Sequence, residues 1–150
     1  MSSSSVSWRD FARQAPELAA FGAARLDGRV AYLATVRPDG GPRLHPVTPI
    51  LGEELYLFME PTSPKGADLQ RDGRFSLHCG VEDDSGGRGE FYVRGTARLS
   101  KDPAERERAS AASSYQPAER YVLFVLRIDF AFMKRYEAAG EPSQRWRATG

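Results

Sequence analysis

Residues 90–101 form the segment that most restricts how this chain can fold. Apolar and mostly polar residues alternate there with a strict period of two. The apolar positions are Phe91, Val93, Gly95, Ala97 and Leu99, and the intervening ones are Tyr92, Arg94, Thr96 and Arg98. This alternation is typical of a β-strand with one buried and one mixed face. Such a strand buries its apolar face only as part of a sheet.

The rest of the sequence supplies partner strands. Further strands are predicted at 30–36, 43–50, 54–59, 74–80 and 120–134. Turn-forming residues such as Pro38-Asp39-Gly40-Gly41, loops or short helices separate them. Six strands joined in this way predict a mainly β protein, antiparallel and barrel-like, with flanking helices.

Helical segments are expected around this sheet. Residues 7–26 show helical spacing, with Ser7 as a capping residue and Pro16 dividing the segment into two helices. Shorter helices are predicted near 64–71 and 103–114, the latter with Asp102 as its cap. Residues 1–6 are predicted to be disordered, and the glycine-rich residues 83–89 to form a mobile hairpin loop.

Composition excludes several classes of partner. The 150 residues suit one domain, 1–150, and 21 basic against 20 acidic side chains leave a net charge of +1. Neither a nucleic-acid arm nor an anionic-membrane patch is expected from interspersed charges. No apolar run reaches the roughly 18 residues of a membrane span, and no signal-peptide core follows the start. We therefore expect a cytoplasmic protein whose ligand is a small molecule.

A helix start with the chemistry of an anion site lies at residues 63–66. Ser63 is a capping residue, Pro64 suits the first helical position, and Lys65 adds a full charge beside unpaired amides. Gly66 is expected to keep the approach free of a side chain. The segment predicts a phosphate site; the alternative is a plain helix start with a surface lysine.

The predicted strand at 43–50 and the residue before it carry three prolines, Pro42, Pro46 and Pro49. Proline donates no ladder hydrogen bond, so a central strand does not tolerate this pattern. Part of the backbone is expected to face a ligand's ring edge instead of a neighbouring strand. The alternative is an edge strand that its prolines protect against aggregation.

Metal and nucleophile sites are not expected. His78 and Cys79 are strand neighbours that point to opposite faces, so with His45 they do not form a ligand set. Cys79, the single cysteine, lies in an apolar strand and is predicted to be a buried structural thiol. Trp146 follows the last predicted strand, and packs either on a partner subunit or ligand or loosely as part of the tail.

Taken in order, these residues resemble the pyridoxamine 5'-phosphate oxidase-like, FMN-binding split-barrel superfamily. The resemblance is strongest over residues 28–80. It rests on Val30 to Gly40, Pro42 to Pro49, Leu55 to Phe58, the Ser63 and Lys65 pair, and Arg71-Asp72-Gly73-Arg74-Phe75-Ser76-Leu77. The remainder matches by strand pattern only.

The resemblance implies a six-stranded antiparallel split β-barrel that forms a homodimer, with a flavin in a groove between the subunits. It assigns the flavin phosphate to Ser63 and Lys65. It assigns ring contacts to His45, Pro46, Val47 and Thr48, and flanking positions to Phe58 and Met59. Trp146 is the candidate for covering the neighbouring subunit's site.

Two departures from the family pattern concern the phosphate. Pro64 and His45 stand where relatives often have phosphate-binding arginines, so weaker phosphate affinity is expected. The tail lacks the long arginine-bearing segment that holds substrate in the vitamin oxidases, so oxidation of pyridoxine phosphate is not expected.

The function implied is an FMN-dependent oxidoreductase that transfers a hydride to or from a small substrate. A deazaflavin-dependent reductase and a non-catalytic flavin- or haem-binding module are the alternatives. No catalytic side chain is assigned.

Overall fold

The computed structural model describes residues 4–82, 89–136 and 143–149. The helices are α1 (Trp8–Gln14), α2 (Pro16–Leu26), α3 (Pro64–Arg71) and α4 (Pro103–Ala112). The strands are β1 (Ala31–Val36), β2 (Pro42–Val47), β3 (Ile50–Leu51), β4 (Leu55–Met59), β5 (Arg74–Cys79), β6 (Glu90–Ser100), β7 (Val122–Lys134) and β8 (Ser143–Arg147).

The strands form one curled antiparallel sheet in the order β2-β1-β5-β6-β7-β4-β3, and β8 pairs with β7. The predicted mainly β fold with flanking helices is confirmed, and the curled sheet is that of a split barrel. The six predicted strands are all present. Two short ones add to them: the predicted strand 43–50 breaks after Val47, so that Ile50 begins β3, and the tail forms β8.

The break after Val47 has a chemical cause. Pro49 has no amide hydrogen and biases Thr48 before it toward extended backbone, so the ladder with β1 ends at Val47. The chain then pairs with β4 through Ile50 and Leu51. This change of partner moves the chain from one end of the sheet order to the other.

The helices cover the sheet on two faces. Trp8 and Phe11 of α1 and Leu18, Phe21 and Leu26 of α2 are buried in the main core, against inward strand residues such as Leu33, Leu77, Phe91, Val93 and Ile128. A second, smaller core lies under α4, formed by Ile50, Tyr56, Phe58, Ala109, Leu123 and Val125. The strict alternation along β6 is confirmed: Phe91, Val93, Gly95 and Ala97 are buried.

The expected helix caps at Ser7 and Asp102 are present. Ser7 Oγ accepts a hydrogen bond from the Asp10 amide at 3.1 Å, and Asp102 Oδ1 accepts one from the Ala104 amide at 3.0 Å. Val6, within the start predicted to be disordered, forms a bridge with Ile128. Residues 1–3, and 83–88 of the predicted glycine-rich loop, lie outside the described residues.

No helix in the described part of the chain is long and apolar enough to cross a membrane.

A β-bulge between Arg94 and Gly95 shifts the register of β6 on β7. A Cβ at Gly95 would overlap the carbonyl oxygen of Arg127 and lie 3.0 Å from the Ile128 Cα. Both neighbours are backbone atoms of the central strand, so they cannot move aside by rotating a side chain. Only glycine fits at this point of closest approach.

Gly95→Ala is therefore expected to lower the free energy of unfolding by at least about 2 kcal/mol through overpacking. Gly80→Ala is the matched control, because its added Cβ would come no closer than 3.5 Å to another residue. Urea unfolding of both variants measures the difference. Equal stabilities would contradict the packing assigned to Gly95.

Candidate functional site

A groove with a volume of about 690 Å³ runs between the end of β2, the end of β4 and the start of α3. We call it the cofactor groove. It is lined by His45, Pro46, Val47, Thr48, Phe58, Met59, Glu60, Thr62, Ser63, Pro64, Lys65, Tyr115 and Tyr121. The structure therefore brings together all the cofactor residues that the sequence predicts except Trp146.

β2 forms one wall of the cofactor groove. It pairs with β1 on one side only and stands at the end of the sheet order. β2 is thus an edge strand, as the second interpretation of its prolines predicts, and His45 to Thr48 line the groove, where the first places a ligand. The two readings are compatible, because the edge that no strand covers is the edge that a ligand can approach.

The start of α3 forms the opposite wall, and Ser63 behaves differently there from the sequence prediction. Ser63 occupies the N-cap position, but its side chain makes no capping hydrogen bond. Its hydroxyl instead accepts one from Lys65 Nζ at 3.0 Å. The expectation of a side-chain cap was wrong because the neighbouring ammonium is the stronger donor. No side chain caps the first amides of α3.

Lys65 is a partly buried cation. Burial lowers the pKa of its ammonium group. Among the described residues it has the Ser63 hydroxyl as a partner and makes no ion pair with a carboxylate. A charge in this situation would be stabilised by an anion in the groove.

Gly66 has a role that the sequence did not indicate. Its α-carbon faces the core, where a Cβ would lie 3.1 Å from Met59 Sδ and 3.5 Å from Phe124 Cε2. The expectation that Gly66 clears the approach of a ligand was therefore wrong. Its missing side chain lets α3 pack closely on β4 and β7.

Asp68 fixes α3 to the strands of the cofactor groove. Its carboxylate, 1% exposed, accepts hydrogen bonds from Thr35 Oγ1 on β1 at 2.7 Å and from Arg43 Nε on β2 at 2.6 Å. Arg71 reaches it at 3.4 Å and also donates to the Val36 carbonyl. Burial alone would raise the pKa of Asp68, but the bonds from Arg43 and Thr35 outweigh it and hold the pKa below its usual value.

Sequence reasoning missed the third wall, which comes from the segment between α4 and β7. Tyr115 and Tyr121 line the groove there. Arg106 of α4 holds this segment by donating to the carbonyls of Tyr121 at 2.6 Å, Ala118 at 3.1 Å and Glu119 at 3.2 Å. Arg120 binds Glu60 on the rim with bonds of 2.8 and 2.6 Å. No local pattern in residues 113–121 signals these contacts, which join distant parts of the sequence.

Trp146 lies away from the cofactor groove. As part of β8 it faces α1, where its ring centre is 4.9 Å from that of Phe11 and its Nε1 donates to Gln14 Oε1 at 3.2 Å. The premise that no strand follows residue 134 was wrong, because the tail adds a strand to the edge of β7. That strand supplies the packing surface which the sequence did not predict.

His78 and Cys79 do point to opposite faces. Cys79 is buried, and its Sγ accepts from the Phe91 amide at 3.3 Å. His78 lies on the outer face, and its interactions with Cys79, first with the side chain and then with the carbonyl 2.6 Å from Nδ1, outweigh burial and raise the pKa of its ring to about 9. Within the described ranges no three histidine, cysteine or acidic residues are grouped as metal ligands.

Comparison with known families identifies the chain. The family profile described as pyridoxamine 5'-phosphate oxidase matches residues 17–135. The chain belongs to this family. The match includes every wall of the cofactor groove, and the predicted resemblance is confirmed.

Solved structures show the same fold at low sequence identity. A haem-binding protein from Mycobacterium smegmatis has a TM-score of 0.68 and 20% identity. The match covers 86% of this chain and 56% of that one, so this chain spans only a little more than half the length of that protein. A conserved hypothetical protein from Mycobacterium tuberculosis has a TM-score of 0.68 and 21% identity, covering 91% of both chains. A protein named F-420 reductase has a TM-score of 0.56 and 20% identity, covering 73% of this chain and 94% of that one. No curated protein matches the chain.

The Asp68 cluster predicts a specific pH dependence of stability. The folded-state pKa of Asp68 lies below its ordinary value of 3.8, so the unfolded chain binds the proton more tightly. The contribution of Asp68 is thus complete above about pH 4 and is lost as pH falls through the folded-state pKa. Asp68→Asn should cost about 3 kcal/mol at neutral pH, because two arginines lose a buried partner, and should flatten the loss of stability in acid.

Urea unfolding at pH 7 and pH 3 measures both effects. Glu107→Gln is the control, because it removes a carboxylate at an exposed position of α4, away from the Asp68 cluster. A variant of Asp68 that lost stability in acid as steeply as the parent chain would contradict the assignment.

Proposed function

We propose that this chain is a flavin-dependent oxidoreductase that holds FMN in the cofactor groove. One observation carries the proposal: the groove joins the partly buried Lys65 to the proline-containing end of β2. FMN has an anionic phosphate at one end and a flat ring system with polar edges at the other. The two walls suit these two ends.

Lys65 and the first turn of α3 suit the phosphate. The lysine has no carboxylate partner among the described residues, and the amides of the turn have no side-chain cap. A phosphate there would accept a charge-assisted bond from Nζ, a bond from Ser63 Oγ, and the favourable field of the helix start. Pro64 donates no bond of its own.

The ring system suits the wall formed by His45 to Thr48. Pro46 presents no amide hydrogen, whereas the free edge of β2 offers main-chain groups to a polar ring edge. Phe58 and Met59, both buried, form an apolar floor. Trp146 is not among the proposed contacts, because its indole packs on α1 of its own chain.

A bound flavin would supply hydride transfer at its reactive ring nitrogen. The residues of this chain would bind and orient it, with Tyr115 and Tyr121 on the third wall of the groove. Glu60 is a poor proton donor: its hydrogen bond from Arg120 holds the pKa of its carboxyl below the usual value, so it stays ionised. We assign no catalytic side chain.

Two other cofactors have support. The structure named F-420 reductase shares the fold, and a deazaflavin coenzyme also carries phosphate that Lys65 could bind. The M. smegmatis relative is named as haem-binding, and His45 in the groove is a possible iron ligand for haem. A non-catalytic cofactor-binding module would use the same residues.

The outer face of the sheet supports a homodimer. The register aligns Pro46, Tyr32, His78, Tyr92 and Phe132 in one outward-facing row across five strands. Tyr32 is 44% exposed and the neighbouring Leu44 is 66% exposed. An apolar face of this kind beside the open groove suits a second copy of the chain, which would complete the groove.

The absorption spectrum of the purified protein tests the cofactor. A flavin spectrum, with FMN released by heat and identified by mass spectrometry, is expected. A deazaflavin or Soret spectrum would select one of the alternatives. A colourless protein that does not bind added FMN would refute the proposal. Turnover with reduced nicotinamides and quinone or oxygen would separate an enzyme from a binding module.

Lys65→Ala should raise the Kd for FMN by about one to two orders of magnitude, because it removes a charge-assisted bond to phosphate. Lys101→Ala, an exposed lysine outside the groove, is the control and should bind as the parent does. Since burial lowers the pKa of Lys65, affinity in the parent should fall as pH rises through that pKa, and the variant should lack this decline. Flavin fluorescence titration measures both; unchanged affinity in Lys65→Ala would refute the phosphate site.

Leu44→Glu should dissociate the dimer, because it places a charge in the proposed apolar contact. Ala20→Glu makes the same kind of change at an exposed position of α2 and should leave the dimer intact. Sedimentation of both variants provides the measurement. A parent chain that sediments as a cofactor-loaded monomer would exclude the interface.

A further inference from the structure

A second cavity, of about 410 Å³, is lined in part by α4 and shares no lining residue with the cofactor groove. It is enclosed by the start of α1, the turn between β3 and β4, β4 itself, α4 and β7. Ten residues line it, eight of them charged, and none lines the cofactor groove. We call it the polar cavity. Nothing in the proposed flavin function uses it.

Three buried polar atoms in the polar cavity have no hydrogen-bond partner of normal geometry among the described residues. They are Tyr56 Oη, Arg127 Nε and Glu54 Oε1. Tyr56 is 1% exposed, with its ring in the core under α4. Burial raises the pKa of its hydroxyl, and hydrogen bonding from the Arg108 side chain opposes that effect; Arg108 is a donor, so the proton of the hydroxyl still has no acceptor. Buried polar atoms in folded proteins are almost always paired, so three in one cavity point to a missing partner.

The other carboxylates of the cavity are already paired. Glu105 accepts two bonds from Arg98, at 3.0 and 2.9 Å, and one from Ser100 at 2.6 Å. Glu53 faces Arg9 at 3.5 Å and Arg108 at 3.9 Å, and Asp10 faces Arg13 at 3.5 Å. None of the three is available to satisfy Arg127.

The charge balance favours an anion. With Glu105 paired to Arg98 from outside, four arginines (Arg9, Arg13, Arg108 and Arg127) face three carboxylates. One of these carboxylates is Glu54, and burial raises its pKa although the nearby charge of Arg127 opposes the effect. Its ionised form is therefore less favoured than that of an exposed carboxylate. The cavity therefore has a surplus of donors and of positive charge.

We propose that the polar cavity binds a small carboxylate that carries a hydroxyl or amino group on the adjacent carbon. Arg127 Nε and Tyr56 Oη donate to the carboxylate oxygens. Glu54 accepts from the hydroxyl or amino group. This single class of ligand pairs all three atoms at once, whereas a simple anion leaves Glu54 without a donor.

Calorimetric titration of the full chain with lactate and with alanine tests the proposal, and propionate serves as the analogue without the extra donor. Saturable binding of lactate or alanine at one site is expected, with propionate about tenfold weaker because Glu54 then has no partner. Tyr56→Phe keeps the ring in the core and should weaken binding about tenfold. Tyr121→Phe removes a hydroxyl from the cofactor groove instead and should leave carboxylate binding unchanged.

The NMR signal of Arg127 Nε–H in the parent chain gives a readout that needs no variant. It should shift during titration with lactate or alanine. Absence of saturable binding by both probes would overturn the proposal, as would equal affinity for propionate, binding unaffected by Tyr56→Phe, or an Arg127 signal that does not move. Equal displacement by sulfate would show an adventitious ion only, and would also overturn it. Flavin binding in Tyr56→Phe should match the parent, so this test is independent of the cofactor assignment.

Discussion

The buried carboxylate of Asp68 is the interaction on which the cofactor groove depends. It ties α3 to both β1 and β2 through Thr35 and Arg43, and so sets the distance between Lys65 and the end of β2. A carboxylate in the core is tolerated only because its oxygens are paired. The walls of the groove therefore have a fixed separation before any ligand binds, which lowers the ordering cost of binding.

The third wall is held by arginines in the same manner. Arg106 gathers three carbonyls of the segment before β7, and its guanidinium lies 5.1 Å from the ring centre of Phe58 on the groove floor. Arg120 and Glu60 join that segment to the opposite rim. Arg43, Arg106 and Arg120 thus stabilise the walls of the groove. Lys65, by contrast, has no carboxylate partner among the described residues.

β4 contributes one aromatic residue to each of the two sites. Phe58 and Tyr56 lie two residues apart on one face of β4, and the first contributes to the cofactor groove while the second reaches the polar cavity. A strand places such residues about 7 Å apart. The second core, to which both rings belong, therefore lies between an open, partly apolar groove and a cavity with buried charges.

The sequence alone predicted six of the eight strands, the helix starts at Ser7 and Asp102, and most of the groove residues. These follow from period-two alternation, capping chemistry and the local matches to the family. Tertiary structure decided the rest. The Asp68 cluster, the Tyr115 and Tyr121 wall, the packing role of Gly66 and the placement of Trp146 on β8 all depend on contacts between residues far apart in the chain. Local sequence carries no signal for such contacts. The alternation of a strand predicts which face a side chain occupies, but the element that it contacts is decided only when the sheet curls.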